Sequence, residues 1–145
     1  MRAADVTAVM AIESRAYLAP WSSGNFIDSL AAGYLAFVLR DDVSMELVGY
    51  FLAMKGVDEM HLLNITVAED RQGQGLARLM LDRLCQVCRE QACPQLWLEV
   101  RFGNQRARDI YKRYGFAEVG LRKRYYPMPN GPREDAVLMS LAVGA

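Results

Sequence analysis

One stretch constrains the chain more than any other: Asn64-Ile-Thr-Val-Ala-Glu-Asp-Arg-Gln-Gly-Gln-Gly-Leu-Ala-Arg-Leu-Met-Leu81. Its order is the end of a buried strand, a turn with two glycines, and the start of an amphipathic helix. Glycine at Gly73 and Gly75 permits backbone conformations and a close approach that a Cβ would block. The helix start presents N–H groups without intrahelical acceptors, at the positive end of the helix dipole. Such a turn holds an anion by backbone rather than by lysine, and Arg71 and Arg78 flank it. It is not a Walker loop, because the Gly-Lys-Ser/Thr ending is absent, nor the three-glycine dinucleotide turn. Taken alone, it reads equally as an anion site and as a strand-to-helix turn that needs glycine.

The flanking sequence alternates helix and strand patterns. Ala4–Leu18 sorts into polar and apolar faces at helical spacing, and Pro20-Trp21-Ser22 ends it. Ser22 or Ser23 caps a second helix running to about Ala32, which Gly33 stops. Leu35–Arg40 and Glu46–Lys55 read as hairpin partners around Asp41-Asp42. Met60–Val67 is nearly all apolar, as expected of a strand covered on both faces. Gly75 to about Gln91 is the helix after the glycine turn. Gln95–Arg101 alternates cleanly, with Leu96, Leu98 and Val100 on one face and Trp97, Glu99 and Arg101 on the other. Asn104 caps a helix to Tyr114, which Gly115 ends. A strand from Phe116 continues towards Tyr125-Tyr126, Pro127–Pro132 is a turn-rich loop, and Ala136–Val143 is a closing strand. The expected fold is one α/β domain (an α+β mixed sheet) spanning residues 1–145. Met60–Val67, its helix and Gln95–Arg101 form one right-handed crossover.

With formal net charge zero over 145 residues, neither nucleic acid nor an anionic membrane is favoured as a partner. No apolar run is long enough to span a bilayer, and the first residues lack a signal-peptide core. A cytoplasmic location is the default. Cys85, Cys88 and Cys93 fit a reducing compartment and read as small apolar residues rather than metal ligands. No metal is expected. His61, the one histidine, reads as a packed or edge residue.

Two further residues carry chemistry. Glu99, if partly desolvated on its short strand, would gain proton affinity and suit a general base. Its alternative is a solvated face paired with Arg101. Tyr111 lies seven residues after Asn104, about two helical turns, so the two share a side. Its alternative is a core tyrosine.

Gln72-x-x-Gly75-x-Ala77, Leu98-Glu99-Val100-Arg101, Asn104 and Tyr111-x-x-x-Gly115-Phe116 occur in an order and spacing that resembles the GNAT family of N-acetyltransferases. Pro20-Trp21-Ser22, Asn64-Ile-x-Val67, Leu96–Arg101, Arg124-Tyr-Tyr-Pro127 and Arg133–Ala136 extend the likeness over almost the whole chain. They resemble the branch that acetylates protein N-termini. The resemblance implies acetyl-CoA as co-substrate, with no metal and no covalent intermediate. The backbone of Ile65, Thr66 and Val67 would meet pantetheine and polarise the thioester. Arg71, Gln72, Gly73, Gln74, Gly75, Leu76 and Ala77 would bind pyrophosphate, and Asn104 the pantetheine arm. Glu99 matches the general base and Tyr111 the acid for the departing thiolate. The implied acceptor is the N-terminal segment of a protein, the N-terminal alanine of small-subunit ribosomal protein eighteen. Trp21, Tyr34, Arg101, Tyr125 and Tyr126 are candidates for its groove. A small-molecule amine acceptor, or a non-catalytic acyl-CoA-binding module, are the alternatives. Gly73 and Ala77 depart from the commonest family residues, and little room is left before Ala4 for the strand relatives place there.

Overall fold

The computed structural model describes residues 1–128 and 131–144. The expected Pro127–Pro132 loop therefore lies partly outside the described residues. A short 3-10 turn, Ala3–Asp5, leads into α1 (Val6–Ala16), followed by α2 (Ser23–Ala31), β1 (Leu35–Arg40), β2 (Leu47–Lys55) and β3 (Glu59–Val67). A second 3-10 turn at Glu69–Arg71 precedes α3 (Leu76–Glu90), then β4 (Gln95–Arg101), α4 (Gln105–Tyr114), β5 (Ala117–Tyr126) and β6 (Glu134–Ala142). No strand precedes α1 among the described residues. Instead the Met1 amine donates to Ala36 O on β1 at 2.8 Å.

The six strands form one sheet in the order β1-β2-β3-β4-β6-β5. Only β3 and β4 run parallel. That is the crossover through α3 that the sequence predicts. The core divides by face. Phe51, Met60, Leu62, Leu96 and Leu98 pack with Leu81, Leu84 and Cys88 of α3. On the other face, Tyr50 and Leu52 pack with Val9 of α1 and Phe26 of α2. β2 is buried from Leu47 to Ala53 because helices lie on both of its sides. The capping follows the sequence: Ser22 Oγ accepts from Asn25 N at 3.1 Å, and Asn104 Oδ1 accepts from Ala107 N at 3.2 Å.

One irregularity positions the site. Leu52 pairs with Asn64 but Ala53 pairs with Leu62, so Leu63 is an extra residue in β3. Such a bulge bends the strand and switches which side chains face which way. Met60 and Leu62 face α3, whereas Asn64 reaches back to Glu13 of α1. Pairing of β3 with β4 stops at Leu62 and Leu98. Beyond the bulge the strands part, and the β4-facing edge at Ile65–Val67 lacks a strand partner there.

Candidate active site

A cavity of about 1090 Å³ lies along the β3 edge beyond the bulge, between the glycine turn and α4; Glu99 is not among its lining residues. Ile65, Thr66 and Val67 form one wall; Arg71, Gln72, Gly73, Gly75, Leu76 and Ala77 form one end; Asn104 and Tyr111 close the α4 side. The structure thus brings together ten of the eleven expected acetyl-CoA residues, and Tyr111. Gln74 does not line the cavity and is exposed.

Gly73 and Gly75 adopt φ of +80° and +77°, the left-handed region that favours glycine. A Cβ at either would meet no atom within 4 Å. The space over the turn is therefore open, and conformation rather than crowding demands glycine. The first helical hydrogen bond of α3 is Leu79 N to Gly75 O at 3.1 Å. The N–H groups of Leu76, Ala77 and Arg78 stay without intrahelical acceptors at the cavity end.

Arg71 lines the cavity but is tied to the β1–β2 turn: it donates to Asp41 at 2.9 Å and to Glu46 at 3.4 Å. Asp41 also accepts from Val43 N and Ser44 N. These backbone bonds and Arg71 hold its carboxyl down at about 2. Sequence reasoning missed Arg106 of α4. It donates to Gln72 Oε1 and so spans the cavity mouth from α4 to the glycine turn. Its position in the first turn of the helix that Asn104 caps was the available signal.

Tyr111 stands edge-on to Phe116, with ring centroids 5.7 Å apart. Burial pushes its phenol above the ordinary tyrosine range, so it stays protonated and able to give its proton. Beside it is Tyr17, which sequence reasoning also missed. Its hydroxyl lies 3.1 Å from Ile65 O and 2.7 Å from Thr66 Oγ1, and burial raises it to about 12. Thr66 Oγ1 in turn donates to Asn64 Oδ1 at 2.8 Å. Asn64 donates to Glu13, a carboxylate only 1% exposed that also accepts from Tyr50 Oη at 2.6 Å and Trp21 N at 2.9 Å. Glu13 lies in α1, but Tyr17 is the residue just past its end, in extended backbone, so helical spacing gave no signal for it.

Glu99 projects from β4 on the face away from α3, with its side chain 8% exposed. The expected gain in proton affinity is not found. His61 Nε2 lies 3.1 Å from Oε2 and Arg122 lies 3.8 Å from Oε1. The His61 hydrogen bond outweighs desolvation and holds the carboxyl below the ordinary glutamate range. Nor does Glu99 pair with Arg101. Arg101 bonds Glu134 at 3.4 Å and stacks over Tyr126 at 4.5 Å. His61 is thus partly packed, in a strand paired on both sides, against Glu99.

The acceptor candidates fall into two groups. Arg101, Tyr125 and Tyr126 cluster by Glu99, the two tyrosines edge-on with centroids 5.0 Å apart. Trp21 and Tyr34 line a separate cavity of about 490 Å³ with Asn25, Asp28, Ser29 and Leu63. The structure does not bring these two groups into one wall. Trp21 also packs on Phe26, with centroids 5.1 Å apart, so it serves the core as well. Among the described residues no cluster of His, Cys, Asp and Glu could hold a metal ion. Among those residues, no helix is long and apolar enough to cross a membrane.

Residues 6–116 match the Acetyltransferase (GNAT) family. The chain is 37% identical over 140 residues to the [Ribosomal protein bS18]-alanine N-acetyltransferase of Haemophilus influenzae, covering 97% of this chain and 94% of that protein. It is similar to the crystal structure of the ribosomal-protein-S18-alanine N-acetyltransferase of Escherichia coli, with a TM-score of 0.89, 35% identity and coverage of 100% and 92%. The Ard1 structure from Thermoplasma volcanium, at 23% identity and a TM-score of 0.86, shares the fold.

Proposed function

The chain belongs to the GNAT family of acetyltransferases, and from that premise we propose that it transfers the acetyl group of acetyl-CoA to the N-terminal α-amine of a protein. The acceptor under this reading is the N-terminal alanine of ribosomal protein bS18, the substrate named for its relatives. The observation that carries it is one cavity that joins the glycine turn, the unpartnered edge at Ile65–Val67 and Tyr111. Glu99 lies one residue beyond the last β3–β4 pair, outside the lining of that cavity.

The cavity fits acetyl-CoA on this chain's own features. An open cradle over Gly73 and Gly75 accommodates pyrophosphate against free N–H groups, and the unpartnered edge at Ile65–Val67 suits an extended amide-bearing arm. Asn104 would hold that arm from α4. A backbone N–H on this edge would polarise the thioester carbonyl, a fixed dipole that needs no reorganisation. The acetyl-CoA supplies an activated acyl group; the protein supplies orientation and proton handling.

An α-amine has a reference pKa near 7.7–8.0, so roughly a tenth is neutral at pH 7. Attack on the carbonyl breaks one N–H bond as the N–C bond forms. Glu99 draws that proton through a water, and Tyr111 gives its phenolic proton to the departing thiolate. Arg101, Tyr125 and Tyr126 would flank the entering N-terminus, and Trp21 and Tyr34 would meet residues further along it. The reaction belongs in the cytoplasm under this reading, in keeping with three free, buried thiols. Alanine-starting peptides should be acetylated faster than free amines or the same peptides with blocked N-termini. Faster turnover of free polyamines would replace this reading with a small-molecule acceptor.

A further inference from the structure

The buried polar groups that no reaction step uses form one directed chain of hydrogen bonds, and it ends in the cavity. Glu13, 1% exposed, accepts from Trp21 N at 2.9 Å, Tyr50 Oη at 2.6 Å and Asn64 Nδ2 at 3.0 Å. With Nδ2 given to Glu13, Asn64 presents Oδ1 to Thr66, whose Oγ1 donates to it at 2.8 Å. A hydroxyl has one proton, so towards Tyr17 Oη, 2.7 Å away, Thr66 Oγ1 can only accept. Tyr17 therefore donates, and its other neighbour, Ile65 O at 3.1 Å, is an acceptor too. The proton of Tyr17 is committed inward, whereas its oxygen keeps a lone pair, and Tyr17 lines the cavity.

The register of β3 puts this oxygen beside the reacting centre. Ala68 N donates to Val48 O at 2.8 Å, and the same register makes Thr66–Tyr50 and Asn64–Leu52 the hydrogen-bonded pairs. The N–H and C=O groups of Ile65 and Val67 therefore point the other way, to the bare edge. Tyr17 covers Ile65 O there, and Gln72 Nε2 covers Val67 O more weakly at 3.5 Å. The N–H groups stay open for the thioester carbonyl. Tyr17 is also within electrostatic reach of Tyr111, on the thiolate side, and of Tyr126, which adjoins Glu99.

We propose that Tyr17 positions the attacking amine: its oxygen accepts one N–H of the neutral α-amine while the other N–H is lost to Glu99 through a water. The proposal rests on the α-amine reading above. The balance is complete. The N–C bond forms as the second N–H breaks, and the C–S bond breaks as Tyr111 protonates the thiolate. Tyr17 keeps its own proton throughout, its phenol pushed up by burial to about 12. One N–H held by a fixed acceptor turns the nitrogen lone pair towards the carbonyl carbon, which is an orientation effect. Glu13, Asn64 and the Thr66 hydroxyl act only through Tyr17, by fixing the direction of its proton.

Two peptides that differ only in starting with alanine or with N-methylalanine test this. The neutral N-methyl amine has a single N–H, which the reaction itself consumes, so none remains for Tyr17. Wild type should turn over the N-methyl peptide with kcat/KM at least about tenfold below that of the alanine peptide. Tyr17→Phe, in protein that stays folded by circular dichroism, should lower kcat/KM for the alanine peptide about tenfold and leave the N-methyl peptide unchanged. Acetyl-CoA affinity by calorimetry should hold. Equal losses on both peptides, no loss on the alanine peptide, or a matching fall in acetyl-CoA affinity overturns the proposal. So does wild type that treats the two peptides alike, a result that needs no variant. An N-methyl peptide inert with both proteins leaves the alanine loss, set against acetyl-CoA affinity, to decide in the same way. Wild type that acetylates no α-amine overturns the acceptor reading instead, and this proposal with it.

Discussion

At the scale of single residues, protonation states are set by neighbours rather than by residue type. Tyr111 and Tyr17 are both raised by burial, yet only Tyr111 is without a hydrogen-bond partner among the described residues and thus free to give its proton to a leaving group. Tyr111→Phe should slow turnover by about 10²- to 10³-fold, with acetyl-CoA affinity by calorimetry nearly unchanged. A matching fall in affinity would mark the hydroxyl as a binding group. Asp41 shows the opposite shift, from 3.8 to about 2. Its folded value lies below its unfolded one, so its contribution to stability is fully present above about pH 4. That contribution is lost as pH falls towards 2. Urea midpoints of wild type and Asp41→Asn should therefore differ at pH 6 and converge near pH 2. A constant gap would remove the linkage.

At the scale of elements, the glycine turn and the β3 bulge divide the work. The turn supplies unpaired N–H groups at the head of α3; the bulge swings β3 off β4 to open the cavity. Gly75→Ala forces a left-handed conformation on a residue with a Cβ, at about 1–2 kcal/mol. The turn would relax from its cradle geometry, and acetyl-CoA affinity should fall about tenfold. The same substitution at Gly24, in the first turn of α2 with a neighbour no nearer than 3.6 Å, should leave affinity as it is.

At the scale of the molecule, Glu13 ties α1, the segment before α2, β2 and β3 into one buried polar knot. Glu13→Ala leaves Tyr50 Oη, Asn64 Nδ2 and Trp21 N without an acceptor, and should cost at least about 3 kcal/mol in urea unfolding. Much of the fold was legible in sequence because periodicity and capping act locally. The strands β1 and β4 and the caps Ser22 and Asn104 follow from residues close together in the chain. The site was legible only in part. Asn104 and Tyr111 share a helix, so spacing placed them. His61 and Glu99 meet across two strands, 38 residues apart, and only the β3–β4 register brings them together. The bulge at Leu63 left no signal of its own, because an apolar run reads alike with or without an extra residue.

The most direct test of the central claim incubates the protein with acetyl-CoA and the N-terminal peptide of bS18, carrying an internal lysine, and maps the product by mass spectrometry. Acetylation of the α-amine alone, absent when the N-terminus is blocked, is the predicted result. Acetylation of the lysine at a comparable rate, or of neither amine, would contradict it.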